Sequence, residues 1–436
     1  MLLVSCSPIL KEKLTRFQEH CYTLEPLISG KREEVLNRTR HKLSIMTLLI
    51  VIFIDGMGLS LLFPLLTHVI VKHPLFSTSI PLTMLYSLII SVYTFFWFIG
   101  STVLGDLSDK IGRKKALMLC LFGTFLGYMM TSFSMYLGSI FVLIVGRAIS
   151  GITTGSQPIA QASIIDISSK EQKLRNIGFI LLSASFGFIA GPLVGGIFSD
   201  SSISSLFSVN TPLYIVSFLS LSSALMLFLF FRETRKNVND KKLELNISKI
   251  FSAYNDKRVR RLLIIFSFQL IGWSCFFGYI SAYLSLRFNF ELMQNSIYIA
   301  TMAVGFAFSF IFLNGKINKY INNIYIIMLG QLFSGLCIAL IFISDNSSYI
   351  WAPVFFLGMS MALAYSGILA LFSDKVSSSE QGWIMGATGS LTALGFAISM
   401  VLVGALSLES NTYPLLASSI FMILASFSMF FSRNKL

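Results

Sequence analysis

A chain of 436 residues is long enough for two or three soluble domains. Its composition excludes them: 55% of residues are hydrophobic, 14% aromatic and only 12% charged, with a mean hydropathy of +0.76. So few charges cannot coat a water-facing surface, and a disordered chain needs the opposite balance.

Runs of about 20 apolar residues, the length that crosses a bilayer core as a helix, recur twelve times. They cover 43–70, 84–104, 116–135, 138–164, 175–197 and 210–231, then 262–284, 293–313, 324–343, 350–372, 382–403 and 413–431. The alternating pattern of a membrane barrel is absent, so the segments read as helices. Before them lies a polar tail, 1–42; between the sixth and seventh lies a basic stretch, 232–261; residues 432–436 close the chain. The expected domains are therefore an N-terminal bundle, 43–231, and a C-terminal bundle, 262–431.

The connections set the orientation. With the N-terminus inside, thirty of the thirty-three Lys and Arg residues fall on the inner side, Lys72 and Arg287 on the outer, and Arg147 within a span. That bias places both termini in the cytoplasm. It also accounts for the net charge of +13, so no nucleic-acid partner is expected. The five cysteines are scattered without CxxC spacing, which supports neither a disulfide framework nor a zinc site. Met1–Leu10 is too short for the apolar core of a leader, and no cleaved targeting segment is expected. His20, His41, His68 and His73 form no cluster in the sequence and receive no role; no metal and no cofactor are expected.

An internal repeat divides the chain. Asp166 and Gly178 bracket a Ser- and Glu-Gln-bearing loop after the fourth span, as Asp374 and Gly386 do after the tenth, at an offset of 208. Gly105-Asp-Leu-Ser-Asp-Lys and Gly315-Lys-Ile-Asn-Lys-Tyr match at an offset of 210. A duplicated six-helix unit is the plan of secondary transporters, which bind substrate between their halves.

Gly105-Asp-Leu-Ser-Asp-Lys-Ile-Gly-Arg-Lys-Lys-Ala-Leu117 resembles the loop signature between the second and third helices of the major facilitator superfamily. Arg147-Ala-Ile-Ser-Gly-Ile-Thr-Thr-Gly155 resembles that family's fourth-helix motif. Gly187-Phe-Ile-Ala-Gly-Pro-Leu-Val-Gly-Gly196 resembles the fifth-helix motif of its drug/proton antiporters. The first span, Asp55-Gly-Met-Gly-Leu-Ser-Leu-Leu-Phe-Pro64, is similar to tetracycline and multidrug exporters. A second proline often found soon after the first is missing, with Thr67 nearby. The second-half loop has lost its aspartate and most of its basic residues. The resemblance spans about residues 43–431. It implies an all-α membrane protein of twelve transmembrane helices in two pseudo-symmetric six-helix bundles.

Each motif also carries its own physics. Gly105 and Gly112 permit a tight approach of backbones. Asp109 can pair with Arg113 or face the positive N-terminus of a neighbouring helix such as the eleventh. Such contacts would form as the halves close, which makes Gly105, Asp109, Gly112, Arg113 and Lys114 a candidate conformational gate; the alternative is that the basic residues only anchor topology. Asp166 and Asp374 either cap the next helix or pair with loop arginines on closure. Gly187, Gly191 and Gly195, with Pro192 and Gly196, form a smooth ridge for a neighbouring helix; the resemblance implies that this ridge seals the cavity in exporters, ordinary membrane packing being the alternative, and Gly151 and Gly155 are further candidate helix-packing positions.

Asp55 and Arg147 are the clearest charges inside the membrane. Counting from the span edges puts them about 18 Å and about 16 Å from the inner surface. An unpaired charge there is expensive, so both should face the interior and preferably each other or water. Asp55 is the expected proton carrier with Arg147 its partner; a static ion pair that fixes packing is the alternative. Gln157 and Gln161 share a helix face, and with Gln269, Trp273, Tyr279 and Tyr365 they are the candidate cavity lining. An apolar, aromatic chamber suits lipophilic or amphiphilic molecules.

The reading that follows is a proton-coupled exporter working by alternating access, monomeric, with membrane lipid, a small-molecule substrate and protons as its partners. It would sit as a multi-pass protein in the cell membrane, the inner membrane of a bacterium. A proton-coupled importer and a non-transporting receptor or scaffold are the alternatives. No Walker sequence, GxSxG or HExxH appears, and no enzymatic activity is expected.

Overall fold

The computed structural model describes residues 42–154, 156–168, 170–234, 253–317, 320–377 and 380–433. Nearly all of the tail 1–42, the centre of the linker, Gly155 and residues 434–436 lie outside them. Among the described residues twelve helices are long and apolar enough to span a membrane. They are α1 (Lys42–Lys72), α2 (Leu82–Ile111), α3 (Arg113–Leu137), α4 (Ile140–Ile164), α5 (Gly178–Phe198) and α6 (Thr211–Phe230), then α7 (Arg260–Phe288), α8 (Leu292–Ile317), α9 (Asn323–Ile343), α10 (Ser347–Asp374), α11 (Trp383–Glu409) and α12 (Tyr413–Ser432).

The sequence expectation of twelve spans holds, with one kind of error. Two expected loops are nearly all helix. α2 runs through Gly105 to Ile111, and the turn into α3 is Gly112 alone, at φ 94°. That left-handed backbone is open to glycine at little cost. The 165–175 connection is helical to Ile167 and again from Lys170. Charge made these segments look like loops, but a helix needs apolar residues only where it meets lipid. α4 also breaks: its helix ends at Thr153 and resumes at Ser156.

Helix packing repeats across the two halves. α3 packs on α4, α2 on α4 and α3 on α6; six helices later, α9 packs on α10, α8 on α10 and α9 on α12. The halves meet through α2 against α11 and through α5 against α8, two contacts that the same pseudo-symmetry exchanges.

The apolar core shows where the halves join. Residues 105–115, 165–175 and the linker mark one face, here the linker face; the opposite face is the far face. Toward the far face one continuous cluster includes Leu61, Phe63 and Tyr86 of the first half with Phe277, Tyr279 and Tyr298 of the second. Toward the linker face the core divides in two. One cluster belongs to the first half alone, and the other to the second half joined by Phe98 of α2.

Candidate functional site

Polar groups gather inside the first half. Arg147 of α4 is fully buried. Its Nε and Nη2 donate to Thr131 Oγ1 at 3.0 and 2.6 Å, and Nη2 donates to Ser150 Oγ at 3.1 Å. The Tyr128 and Tyr93 rings flank the guanidinium at 5.0 and 5.8 Å. Nη1 has no acceptor among the described residues. A buried cation needs such a cage, because every unmatched donor retains its desolvation cost.

Asp55 lies on α1, partly buried. Ser156 Oγ donates to its Oδ2 at 2.5 Å. No ion pair joins Asp55 to Arg147: Thr131 and Ser150 take up the arginine, and Ser156 takes up the carboxylate. The expected direct pairing is thereby corrected. Asp55 borders a space that Arg147 does not reach, though Tyr93, Tyr128 and Ser150, which hold the arginine, line it. That space is a cavity of about 10 Å³, close to what one water needs, lined by Ile54, Asp55, Gly58, Tyr93, Thr124, Tyr128, Ser150 and Thr154. Tyr93 Oη and Thr154 Oγ1 close its wall at 2.9 Å.

The motif residues of the linker face form a second group. Arg113 Nη2 meets Asp109 Oδ1 at 3.1 Å, its Nε meets Asp166 Oδ2 at 3.4 Å, and its Nη1 donates to Ser108 Oγ at 2.6 Å. Asp166 thus pairs with the loop arginine. Glu233, past the end of α6, accepts from the Arg113 and Lys114 backbone N–H groups at 2.9 and 3.1 Å, satisfying the first turn of α3. Lys114 Nζ reaches the Phe228 carbonyl at 2.7 Å. The repeat predicted that Asp374 would mirror Asp166, but Asp374 is exposed and enters no ion pair among the described residues. Its place is taken by Glu380, which accepts from Arg258 Nη1 and Nη2 at 3.1 and 2.9 Å, while Asp256 holds the same arginine at 2.8 Å. Arg113 and Arg258 each bind carboxylates of their own half.

The glycine ridge of α5 lies on α1. A Cβ at Gly187 would stand 3.0 Å from Met57 N, and one at Gly191 would stand 3.0 Å from Leu61 N. Gly196 turns instead to α8, where a Cβ would stand 2.8 Å from Met293 Sδ. Gly151 packs against α2 at Phe96 and Trp97. Gly155 lies outside the described residues.

The expected cavity lining is not brought together. Gln269 is fully buried within the second half, accepting from Gln331 Nε2 at 2.7 Å, so it faces α9 and not a pathway between halves. Tyr279 is also fully buried, its hydroxyl 3.4 Å from Asn411. Tyr365 is partly buried beside Phe266. Gln161 is partly buried, and the Gln157 side chain is outside the described residues. Trp273 is the exception. It stacks on Phe277 at 5.4 Å, and Phe277 also contacts Phe63 of α1 at 4.6 Å, Phe188 of α5 at 6.1 Å and Phe396 of α11 at 6.3 Å. This aromatic plug joins the halves. Single phenylalanines on four different helices carry no local signal, so the sequence did not reveal it.

Polar contacts between halves cluster toward the far face. Tyr86 Oη donates to the Gly278 carbonyl at 2.8 Å, Ser407 Oγ to Thr83 Oγ1 at 3.1 Å, and Lys72 Nζ to the Asn289 carbonyl at 3.0 Å, while Lys72 meets Glu291 at 3.2 Å. A Cβ on Gly178, Gly386 or Gly389, toward the linker face, would meet nothing within 4 Å. The far end is closed.

The sequence profile of the Major Facilitator Superfamily matches residues 48–400. The tetracycline resistance protein, class B, of Escherichia coli is 26% identical over 355 residues, covering 79% of this chain and 83% of that protein. The quinolone resistance protein NorA of Staphylococcus aureus is 26% identical over 360 residues, covering 81% and 87%. Among solved structures, the human organic anion transporter MFSD10 (TETRAN) superposes with a TM-score of 0.67 at 18% identity, covering 89% of this chain and 99% of that one. A bacterial homologue of the human lysosomal transporter Spinster gives 0.68 at 14% identity, covering 90% and 96%. Two six-helix halves exchanged by one pseudo-symmetry, together with a profile match over most of the length, place the chain in the Major Facilitator Superfamily.

Proposed function

We propose that this transporter exports a small lipophilic or amphiphilic molecule in exchange for protons, by alternating access, with the linker face in the cytoplasm. The relatives named for tetracycline and quinolone resistance support the direction and the substrate class. The charge bias of the connections supports the orientation, and the apolar, aromatic contacts around Trp273 and Phe277 support a greasy substrate.

The observation that carries the coupling is Asp55 on its one-water cavity, held by Ser156. Ser156 opens the second segment of α4, past the break at Thr153, and that segment ends near Asp166, the partner of Arg113. Protonating Asp55 weakens its hold on Ser156. The lower part of α4 is then free to shift, and with it the Asp166–Arg113 contact at the linker face. Bound substrate and bound proton would favour different arrangements of this segment, and exchange needs that difference.

The test is uptake into inverted vesicles driven by a pH gradient, with Asp55→Asn against wild type. Loss of gradient-driven flux with normal folding is the expected result. Undiminished coupling removes Asp55 as the carrier.

A further inference from the structure

The far gate holds a group of side chains that the transport reading does not use. α1 ends in a π-turn, Thr67–Lys72, whose bond from His73 N–H to the His68 carbonyl measures 2.7 Å. In an α-helix, residues five apart point about 140° away from each other at about 100° per residue. The wider π-turn brings both imidazoles to one side, with ring centroids 4.7 Å apart. The expectation that the histidines form no cluster is thus overturned for His68 and His73. Glu291, the residue before α8, comes from the other half, with its Oε2 3.5 Å from His73 Nε2. One ligand atom from each of the three residues lies within 4.8 Å of the other two. His68 Nδ1 is buried without a hydrogen-bond partner among the described residues.

We propose that His68, His73 and Glu291 form a divalent-cation site, of the kind zinc occupies, that pins the far ends of the two halves together. Two imidazoles and a carboxylate are a zinc-type donor set with a fourth position left for water. Zinc–ligand bonds of about 2.0–2.2 Å require donors roughly 3.4 Å apart in a tetrahedron, so the three must close by about an ångström. His73 and Glu291 are exposed, so the side chains that must move are bounded by solvent on one side. Lys72 is the opposing charge: it holds Glu291 Oε1 at 3.2 Å and leaves Oε2 turned toward His73. Because Glu291 and the histidines belong to different halves, a bound cation favours this closed arrangement over any in which the far ends part.

The experiment is titration of the purified full chain with zinc chloride by calorimetry and by thermal melting, beside magnesium chloride. One saturable zinc site is expected, with a melting temperature that rises with zinc. Magnesium should do neither, since it prefers an all-oxygen octahedron. His73→Ala and Glu291→Gln, both surface changes, should each weaken zinc binding roughly tenfold or more and abolish the melting shift; Lys72→Met should tighten binding. Zinc binding unchanged by Glu291→Gln, or binding that never saturates in the wild type, would overturn the site.

Discussion

The two halves share a plan but bury different chemistry. At the repeat offset of 210, Ser150 corresponds to Ser360 and Thr124 to Ser334, and all four are buried. The second-half pair bond each other at 2.8 Å. Arg147 corresponds to Leu357, which is also fully buried. Where the first half places Asp55 on its leading helix, α7 carries Gln269, bonded to Gln331. The first half therefore encloses two ionisable groups near a water-sized cavity, and the second a neutral core of amides and hydroxyls. Burying charge is costly in both, so only the half that gains something from titration should retain it. On this comparison the proposed proton response belongs to the first half, with the second as the frame it would move against.

The strongest way to break the comparison is to make the halves alike. Arg147→Leu installs the second half's residue in the first. It removes the buried cation behind Tyr93, Tyr128 and Ser150 of the cavity wall and leaves Thr131 Oγ1 and Ser150 Oγ without their donor. We expect gradient-driven flux in vesicles to fall at least about tenfold, a coupling of about 1.4 kcal/mol, while the protein still inserts. Retained coupling would show that the charged half has no special part.

The second half should respond in stability instead. Gln331→Leu leaves the Gln269 Oε1 acceptor buried and unpaired, which costs about 1–3 kcal/mol. Changing both residues to Leu removes donor and acceptor together and should recover most of that loss. Melting temperatures of the single and double variants in one detergent decide the matter. The ratio of gradient-driven to background flux should stay that of the wild type in the double variant.

These contrasts also show how far the sequence could be read. Twelve spans were legible because lipid imposes about 20 apolar residues on each helix. The glycine ridge was legible because spacing by four marks one helix face, and it does lie on α1. That Asp55 and Arg147 lie within membrane-length helices was legible from the apolar runs around them. Their azimuth was not, since it depends on how α1 and α4 are rotated by packing, and that rotation gives each charge its own hydroxyl partners. Gln331 was missed because one amide in an apolar run looks the same whether it faces lipid, a pathway or Gln269. His68 and His73 were missed because a regular α-helix would separate them.

Arg113 and Arg258 offer a finer contrast. Arg113 is nearly enclosed, with 12% of its side chain exposed, and links α2, α3 and the end of α4; Arg258 is 48% exposed. Ion pairs shielded from water count for more than exposed ones. Arg113→Ala should lower flux by roughly twofold to thirtyfold, as expected for a coupling of about 0.5–2 kcal/mol, and Arg258→Ala by less. Equal losses would make the two linker-face networks equivalent.

The smallest effect is one of pH. Hydrogen bonds from Arg258, then from Ser377, stabilise the ionised Glu380 and push its pKa down from the ordinary 4.5 to about 2. A carboxylate depressed in this way contributes stability that is fully present above the unfolded value of 4.5 and is lost as pH falls through 2. Between pH 5 and pH 8 the group does not titrate, so this network is silent where a proton-driven exporter must work. Glu380→Gln should lower the melting temperature slightly at pH 7, and the gap from wild type should narrow as the pH drops from 4.5 toward 2. The pH profile of flux between 5 and 8 should be that of the wild type. A shifted profile would move proton sensing out of the charged interior of the first half and into the linker face of the second.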